Sequence, residues 1–154
     1  MVSANFTLNK CLDESDNGNV GIIHGAKMVY PWGSRKGWEL SFNGLDDYIE
    51  VPNSESLNFT NGVTIEGWVK SRGIPNTAPN YDYYALVLRG HYSETPYGLL
   101  QCVAGNSRSL IFYINGSVAV SFNIQAQNGV WYYFAATYDG TIAKIYINGI
   151  MKNS

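Results

Sequence analysis

The sequence has few charged residues and no excess of either sign. Its 154 residues contain 10 Lys and Arg and 12 Asp and Glu, so 14% are charged, whereas an ordinary soluble domain has roughly 25%. A formal charge of -2 without a basic cluster provides no electrostatic surface for nucleic acid or anionic lipid. We therefore expect no nucleic-acid partner.

Long apolar runs and cysteine motifs are also missing. No stretch approaches 18 apolar residues, so we expect no membrane insertion. The first seven residues lack the basic and apolar segments of an export signal, although a module taken from a larger exported protein would have lost its leader. Cys11 and Cys102 could form a disulfide in an oxidising compartment or remain free and buried, and free cysteines are the favoured interpretation.

Aromatic residues and glycine are abundant instead. There are 12 Tyr, 6 Phe, 4 Trp and 16 Gly, a mixture that favours strands and tight turns over helices. Helical periodicity is almost absent. Short strands separated by turn signals predict an antiparallel sandwich or barrel; they cover residues 38–42, 48–51, 63–70, 84–89, 99–103, 110–114, 118–124, 131–138 and 142–147.

Three turn signals follow strands of this set. Asp139-Gly140 separates two strand-like runs and predicts a hairpin. Asn115-Gly116 and Asn148-Gly149 each follow a similar strand ending in Tyr-Ile. Because Asn-Gly accepts the positive φ values of a type I′ turn, the same hairpin device is predicted twice.

Several segments carry a family resemblance. Residues 40–52, Leu-Ser-Phe-Asn-Gly-Leu-Asp-Asp-Tyr-Ile-Glu-Val-Pro, are followed by Val-Thr-Ile-Glu-Gly-Trp-Val at 63–69 and by the segments 131–140 and 145–149. In order and spacing they resemble the laminin G-like jelly roll of the concanavalin A-like lectin/glucanase superfamily. The resemblance covers about residues 12–151. It implies an all-β sandwich of two packed antiparallel sheets, usually an extracellular accessory module that binds carbohydrate or protein.

One departure from the family concerns the end of the sequence. In the family, further strands follow the segment that here ends in Asn148-Gly149, and the last of them pairs with the amino-terminal segment. This sequence stops at Ser154. We therefore expect one domain over residues 1–154, a fragment of a longer protein, that lacks its C-terminal closing strands. An uncovered edge near the amino-terminal strand could then support self-association.

Catalytic motifs are not recognisable. Glucanases of the superfamily place carboxylates at alternate positions of one strand, whereas Glu14-x-Asp16 is followed by Gly18 and Asn19. Asp46 and Glu50 would lie roughly 13 Å apart on a strand, beyond the roughly 5 to 9.5 Å that glycoside hydrolysis needs. No nucleophile elbow or zinc motif accompanies His24 or His91. We expect a non-enzymatic protein. A glycan-active enzyme fragment is the third interpretation, after the two binding roles given at the end of this subsection.

An acidic loop near the amino terminus has the oxygen spacing of a cation site. Asp13-x-Ser15-x-Asn17-Gly18-Asn19 places oxygen donors at alternate positions with Gly sixth. The resemblance adds support, since domains of this family often hold a structural calcium with this loop and the acidic turn near Asp46. The alternative is a polar turn stabilised by Asx hydrogen bonds. The candidate calcium ligands are Asp13, Asp16, Asn17, Asn19 and Asp46.

Aromatic residues in predicted loops form the other candidate site. Their rings could stack on sugars or pack against the sandwich; the candidates are Tyr30, Trp32, Tyr81, Tyr83, Tyr92 and Tyr97. Trp68, Phe112, Trp131 and Phe134 are predicted to lie in or near the core. The low charge favours a neutral glycan over a polyanion.

The first hypothesis is a non-catalytic, lectin-like module that recognises a largely neutral glycan. The alternative is a protein-protein interaction or structural module of a larger extracellular protein. Both place the chain outside the cell or on its surface. The expected partners are carbohydrate or an extracellular protein.

Overall fold

The computed structural model describes residues 9–30, 38–59, 61–71, 82–90, 95–104 and 107–154. Within these ranges the chain is built from strands, with one 3-10 turn at Glu55–Leu57. The strands are β1 (Lys10–Cys11), β2 (Gly21–His24), β3 (Lys27–Val29), β4 (Glu39–Ser41), β5 (Tyr48–Glu50), β6 (Val63–Lys70), β7 (Asp82–Arg89), β8 (Tyr97–Ala104), β9 (Ser107–Ile114), β10 (Ser117–Asn123), β11 (Trp131–Tyr138), β12 (Ala143–Ile147) and β13 (Ile150–Asn153).

Two compact units share these strands, Met1–Phe59 and Thr60–Ser154. In the first unit, β1, β2 and β5 form an antiparallel sheet in the order β1-β2-β5, and β3 pairs with β4. The prediction of a single domain over residues 1–154, with an uncovered edge and missing closing strands, stays a prediction.

The second unit contains two four-stranded antiparallel sheets, ordered β10-β9-β8-β7 and β13-β12-β11-β6. The edge strands β10 and β13 are joined where the side-chain amide of Asn153 donates to the carbonyl oxygen of Ser121 at 2.8 Å. This arrangement confirms the predicted all-β, antiparallel jelly-roll sandwich.

The core is formed by alternate side chains of the central strands. Successive side chains of a strand point to opposite faces, so every second residue is buried. The buried set includes Leu110, Phe112 and Ile114 on β9, Phe134 and Ala136 on β11, and Ala143, Ile145 and Ile147 on β12. Burying each of the large apolar side chains contributes about 2 kcal/mol. Phe112 and Phe134 therefore lie in the core as predicted.

Strand β8 differs from its neighbours because consecutive residues are buried. Leu99 and Leu100 point to opposite faces of the sheet, yet both are almost completely inaccessible. Cys102 on the same strand is buried and is a free thiol. Cys11 is also free, and partial burial raises the pKa of its thiol.

The predicted turns are confirmed. Asn115 and Gly116 connect β9 to β10 with φ values of 50° and 73°, and Asn148 and Gly149 connect β12 to β13 with 50° and 79°. Positive φ at both central residues is the requirement of the type I′ turn. The β11–β12 hairpin is also present, and Asp139 Oδ1 accepts the backbone N–H groups of Thr141 and Ile142.

Strands β1, β2, β3 and β13 were not in the predicted set. Strands β1 and β3 have only two and three residues, too few to show the alternation by which a strand is recognised. Strand β13 is four exposed residues in which the apolar Ile150 and Met151 are adjacent, so apolar and polar residues do not alternate. Strand β1 forms by pairing with β2, β3 by pairing with β4, and β13 by pairing with β12.

Candidate functional site

Strand β6 presents an aromatic side chain on the face opposite the core. Ile65 is buried, whereas Trp68, three residues later and of opposite parity, is 55% exposed. The prediction that Trp68 lies in or near the core is therefore wrong. The signal was present in the sequence, because Trp68 alternates in step with the polar residues Thr64, Glu66 and Lys70.

Neighbouring strand β11 adds two more aromatic rings to the same face. Tyr133 is the register partner of Trp68, and their ring centroids are 5.2 Å apart at an interplanar angle of 53°. Trp131 is the register partner of Lys70, whose ammonium lies 4.7 Å from the centroid of the indole. This contact is a cation–π interaction. Trp131 is half-buried, but it shares the outward face of Tyr133, so the prediction that it lies in or near the core is wrong, as for Trp68.

Asn148 extends the sheet beyond the end of β12. Its backbone N–H donates to the carbonyl oxygen of Tyr133 at 2.7 Å, and its side-chain Oδ1 accepts the backbone N–H of Tyr133 at 2.9 Å. Because a backbone N–H can donate only to the amide oxygen, the orientation of this amide is fixed. Its Nδ2 group has no hydrogen-bond partner in the described part of the chain, so both of its N–H donors are available to a ligand.

The hydroxyl of Tyr133 is held in its protonated form. A hydrogen bond to the Glu66 carboxylate raises the pKa of Tyr133 above its ordinary value, because loss of the proton would place two negative charges in contact. Glu66, which makes this hydrogen bond, is itself exposed. The hydroxyl and carboxylate thus add polar groups beside the Trp68 ring.

Trp68, Trp131, Tyr133 and Asn148 line an open depression of about 470 Å³. We call these four residues the aromatic platform. Its volume lies in the lower part of the range of small-molecule sites, roughly 300 to 1,000 Å³. The platform combines three rings with one oriented amide, a composition typical of ligand sites that are mostly apolar with a few placed polar groups.

A protein-family model matches most of this chain. A laminin G-like family model, described as the concanavalin A-like lectin/glucanases superfamily, matches residues 42–154. The chain belongs to this superfamily. No curated protein and no solved structure gives a significant match.

Membership gives the laminin G-like domain a general role. Domains of this kind are lectin-like or protein-interaction modules, generally non-catalytic and typically extracellular. Their partners are in general carbohydrates or proteins. Within the described ranges, no helix is long and apolar enough to cross a membrane.

The loop aromatics predicted from the sequence occupy different environments in the laminin G-like domain. Tyr97 is buried, with the Arg89 guanidinium 5.9 Å from its ring centroid. Tyr83 on β7 is exposed. Trp32, Tyr81 and Tyr92 lie outside the described residues. A ligand-binding role for this set stays a prediction.

Tyr30 forms a second exposed aromatic pair, within the first unit. Its ring meets that of Trp38 at a centroid distance of 5.3 Å and an angle of 68°. Both rings are exposed. The register pairs Val29 with Glu39, so Tyr30 and Trp38 face each other just beyond the end of the β3–β4 ladder.

The acidic loop uses its oxygen atoms to hold its own backbone. Asp13 Oδ1 accepts the N–H of Ser15 at 2.8 Å, and Oδ2 accepts the N–H of Asn19 at 2.7 Å. Hydrogen bonds from the Ser15 side chain and from the two backbone N–H groups lower the pKa of Asp13. The Asx hydrogen bonds of the alternative interpretation are therefore present.

The remaining candidate calcium ligands are tied to other partners or lie at the surface. Asn19 exchanges side-chain hydrogen bonds with Ser56, and Asp46 Oδ1 accepts from the amide of Asn43. Asp16 and Asn17 are exposed. Among the described residues, no three His, Cys, Asp or Glu side chains converge as metal ligands. The calcium site stays a prediction, which an unchanged melting temperature in millimolar calcium would contradict.

Proposed function

We propose that this laminin G-like domain is a non-catalytic module that binds a largely neutral glycan on the aromatic platform. The observation that supports the proposal is the exposure of Trp68, 55% in a strand whose alternate residues build the core. Large apolar rings grouped at a surface mark ligand or protein sites more often than they serve stability.

The chemistry of the platform suits the face of a sugar. An aromatic ring carries negative charge over its face and positive charge at its edge. The C–H groups on one face of a pyranose are weakly positive and apolar, so they stack on such rings. Trp68 and Tyr133, with centroids 5.2 Å apart and ring planes inclined at 53°, offer two adjacent aromatic surfaces to a sugar.

Polar groups around the rings match sugar hydroxyls. The Nδ2 group of Asn148 supplies two oriented donors, and the exposed carboxylate of Glu66 supplies acceptors beside the Tyr133 hydroxyl. Glu66 and Lys70 carry opposite charges on the same strand face, so the site has no net charge. A neutral glycan is therefore favoured over an anionic one.

A glycan-array screen followed by isothermal titration tests the proposal. We expect binding to neutral glycans, and we expect Trp68→Ala to weaken it by about tenfold or more, because truncation of a central aromatic residue removes most of its contact area. Tyr48→Ala is the matched control, since Tyr48 is 53% exposed but lies on β5 in the other unit. Equal losses in the two variants, or no binding to any glycan, would contradict the proposal.

A protein-binding role has one supporting observation. All four residues of the edge strand β13 are exposed, including the apolar Ile150 and Met151. An exposed edge can pair with an extended segment of another chain. Tight capture of a defined protein partner, lost when Met151→Pro blocks pairing and retained in Trp68→Ala, would favour this alternative.

We also propose an extracellular location as part of a larger protein. The sequon Asn115-Gly116-Ser117 begins at an exposed residue of the β9–β10 turn, where an attached glycan would meet no core residue. Its occupancy, measured by mass spectrometry of protein secreted from a eukaryotic host, is the matching test.

A further inference from the structure

We propose that the aromatic platform takes a linear segment of at least two neutral sugar residues rather than a single terminal sugar, with consecutive sugars at two positions along β11. The first position is the Trp68–Tyr133 pair and the second is the face of Trp131. This inference rests on the proposed glycan binding, and it adds the length and class of ligand that the platform fits.

Register and parity create the two positions. Tyr133 and Trp131 are two residues apart on β11, so they share a face and lie about 6.6 Å apart along the strand. Trp68 is directly opposite Tyr133, and Lys70 is directly opposite Trp131. The rings therefore belong to two alternate register pairs of β6 and β11, which are neighbours on one face of the sheet, instead of surrounding a single point.

Each position has its own polar group. At the first, the Nδ2 donors of Asn148 lie beside Tyr133, to whose backbone the Asn148 Oδ1 is bonded. At the second, the Lys70 ammonium lies 4.7 Å from the Trp131 centroid. The ammonium therefore lies over the indole of Trp131, and Trp131 itself lines the depression.

The open shape of the depression favours the interior of a chain over its end. Trp68, Trp131 and Tyr133 all project from a sheet face, and the depression of about 470 Å³ between them is open to solvent. A site that selects a chain end needs a wall that stops the ligand. The described lining consists of three rings on the sheet face and the Asn148 side chain of the β12–β13 turn.

The experiment measures affinity against ligand length. The probes are glucose, mannose and xylose with their neutral di-, tri- and tetrasaccharides, titrated into the full chain by calorimetry. For the series that binds, we expect the affinity to rise about tenfold or more between the monosaccharide and the trisaccharide, because a second aromatic contact is added. Trp131→Ala should remove most of that rise, whereas Trp68→Ala should weaken binding at every length.

Two further variants separate binding from folding. Trp131→Phe keeps an aromatic face and should retain part of the rise with length, and Tyr48→Ala should behave as the unaltered chain. Thermal melting of each variant establishes that it is folded. An affinity independent of length, or equal effects of Trp131→Ala at all lengths, would overturn the two-position proposal while glycan binding remained. Absence of binding to every probe would overturn both.

Discussion

Asn148 and Asn115 are a natural pair for comparison because they occupy the same position of two type I′ turns. Both have φ of 50° and are followed by Gly. Only Asn148 lines the platform, and its Oδ1 is committed to the Tyr133 backbone. The binding role of this residue therefore lies in its Nδ2 donors, which aspartate lacks.

We expect Asn148→Asp to lower glycan affinity by roughly tenfold, because a charge-free donor is replaced by a carboxylate that cannot donate to a sugar hydroxyl. The acceptor for the Tyr133 N–H and the turn preference are both retained. Asn115→Asp makes the same chemical change in the matched turn and should leave affinity unchanged. Titration calorimetry of the two variants decides; a weakened Asn115→Asp or an unaffected Asn148→Asp would argue against the donor role.

The carboxyl group of Asp139 makes the stability of the β11–β12 turn depend on pH. The N–H groups of Ile142 and then Thr141 donate to its carboxylate and lower its pKa. A carboxyl group with a lower pKa in the folded state stabilises that state above its unfolded pKa, and this contribution disappears as the pH falls through the folded pKa.

We expect the free energy of unfolding to decrease from about pH 4 downward, where aspartate ordinarily titrates. In Asp139→Asn the side-chain oxygen still accepts both hydrogen bonds but does not titrate, so the acid decline should be smaller. Urea denaturation across this pH range measures the difference. Parallel profiles for the two proteins would show that Asp139 does not contribute to the acid sensitivity.

At the scale of secondary-structure elements, the β11–β12 turn depends on one glycine. Gly140 has φ of 94°, and an added Cβ would lie 2.9 Å from the carbonyl oxygen of Asn61. Gly129 also has positive φ, 76°, but an added Cβ there meets nothing within 4 Å. The two positions share backbone strain and differ in the steric contact.

We expect Gly129→Ala to lower the free energy of unfolding by about 1 to 2 kcal/mol, the cost of a left-handed conformation for a residue with a side chain. Gly140→Ala should cost more, because backbone atoms must also move away from the new methyl group. Chemical denaturation of both variants gives the comparison. Equal losses would mean that the turn relaxes freely around Asn61.

The strands and hairpins of the second unit were predictable because local patterns specify them. The alternation of residues 63–70 gave β6 with its correct bounds, and Asn-Gly gave both type I′ turns. The same alternation places Trp68 with the polar residues, in contrast to the usual burial of tryptophan. Its exposure shows that parity is the stronger indicator on a sheet with one buried face.

Other features depend on pairing that no local pattern contains. Strands β1 and β3 exist because β2 and β4 lie beside them. Asn148 continues the β11–β12 pairing beyond the end of β12 because Tyr133 lies opposite it, 15 residues away in sequence. The platform joins residues from β6, β11 and the β12–β13 turn, and only the sheet register brings them together.

For the molecule as a whole, family membership and the platform contribute different information. The superfamily match over residues 42–154 establishes the sandwich and a lectin-like or protein-interaction role. It does not specify a ligand-binding face. The position and chemistry of the proposed site come from this chain's own aromatic residues, and its 14% charged composition agrees with a neutral ligand.

The most direct test of the account is a nuclear magnetic resonance titration that follows the indole N–H signals of the four tryptophans during addition of a neutral glycan that the screen identifies. The signals of Trp68 and Trp131 should move, together with the side-chain amide of Asn148, while the signal of Trp38 stays in place. Movement of the Trp32 or Trp38 signal with Trp68 unaffected would contradict binding on the platform and would place the glycan at the aromatic residues of the first unit.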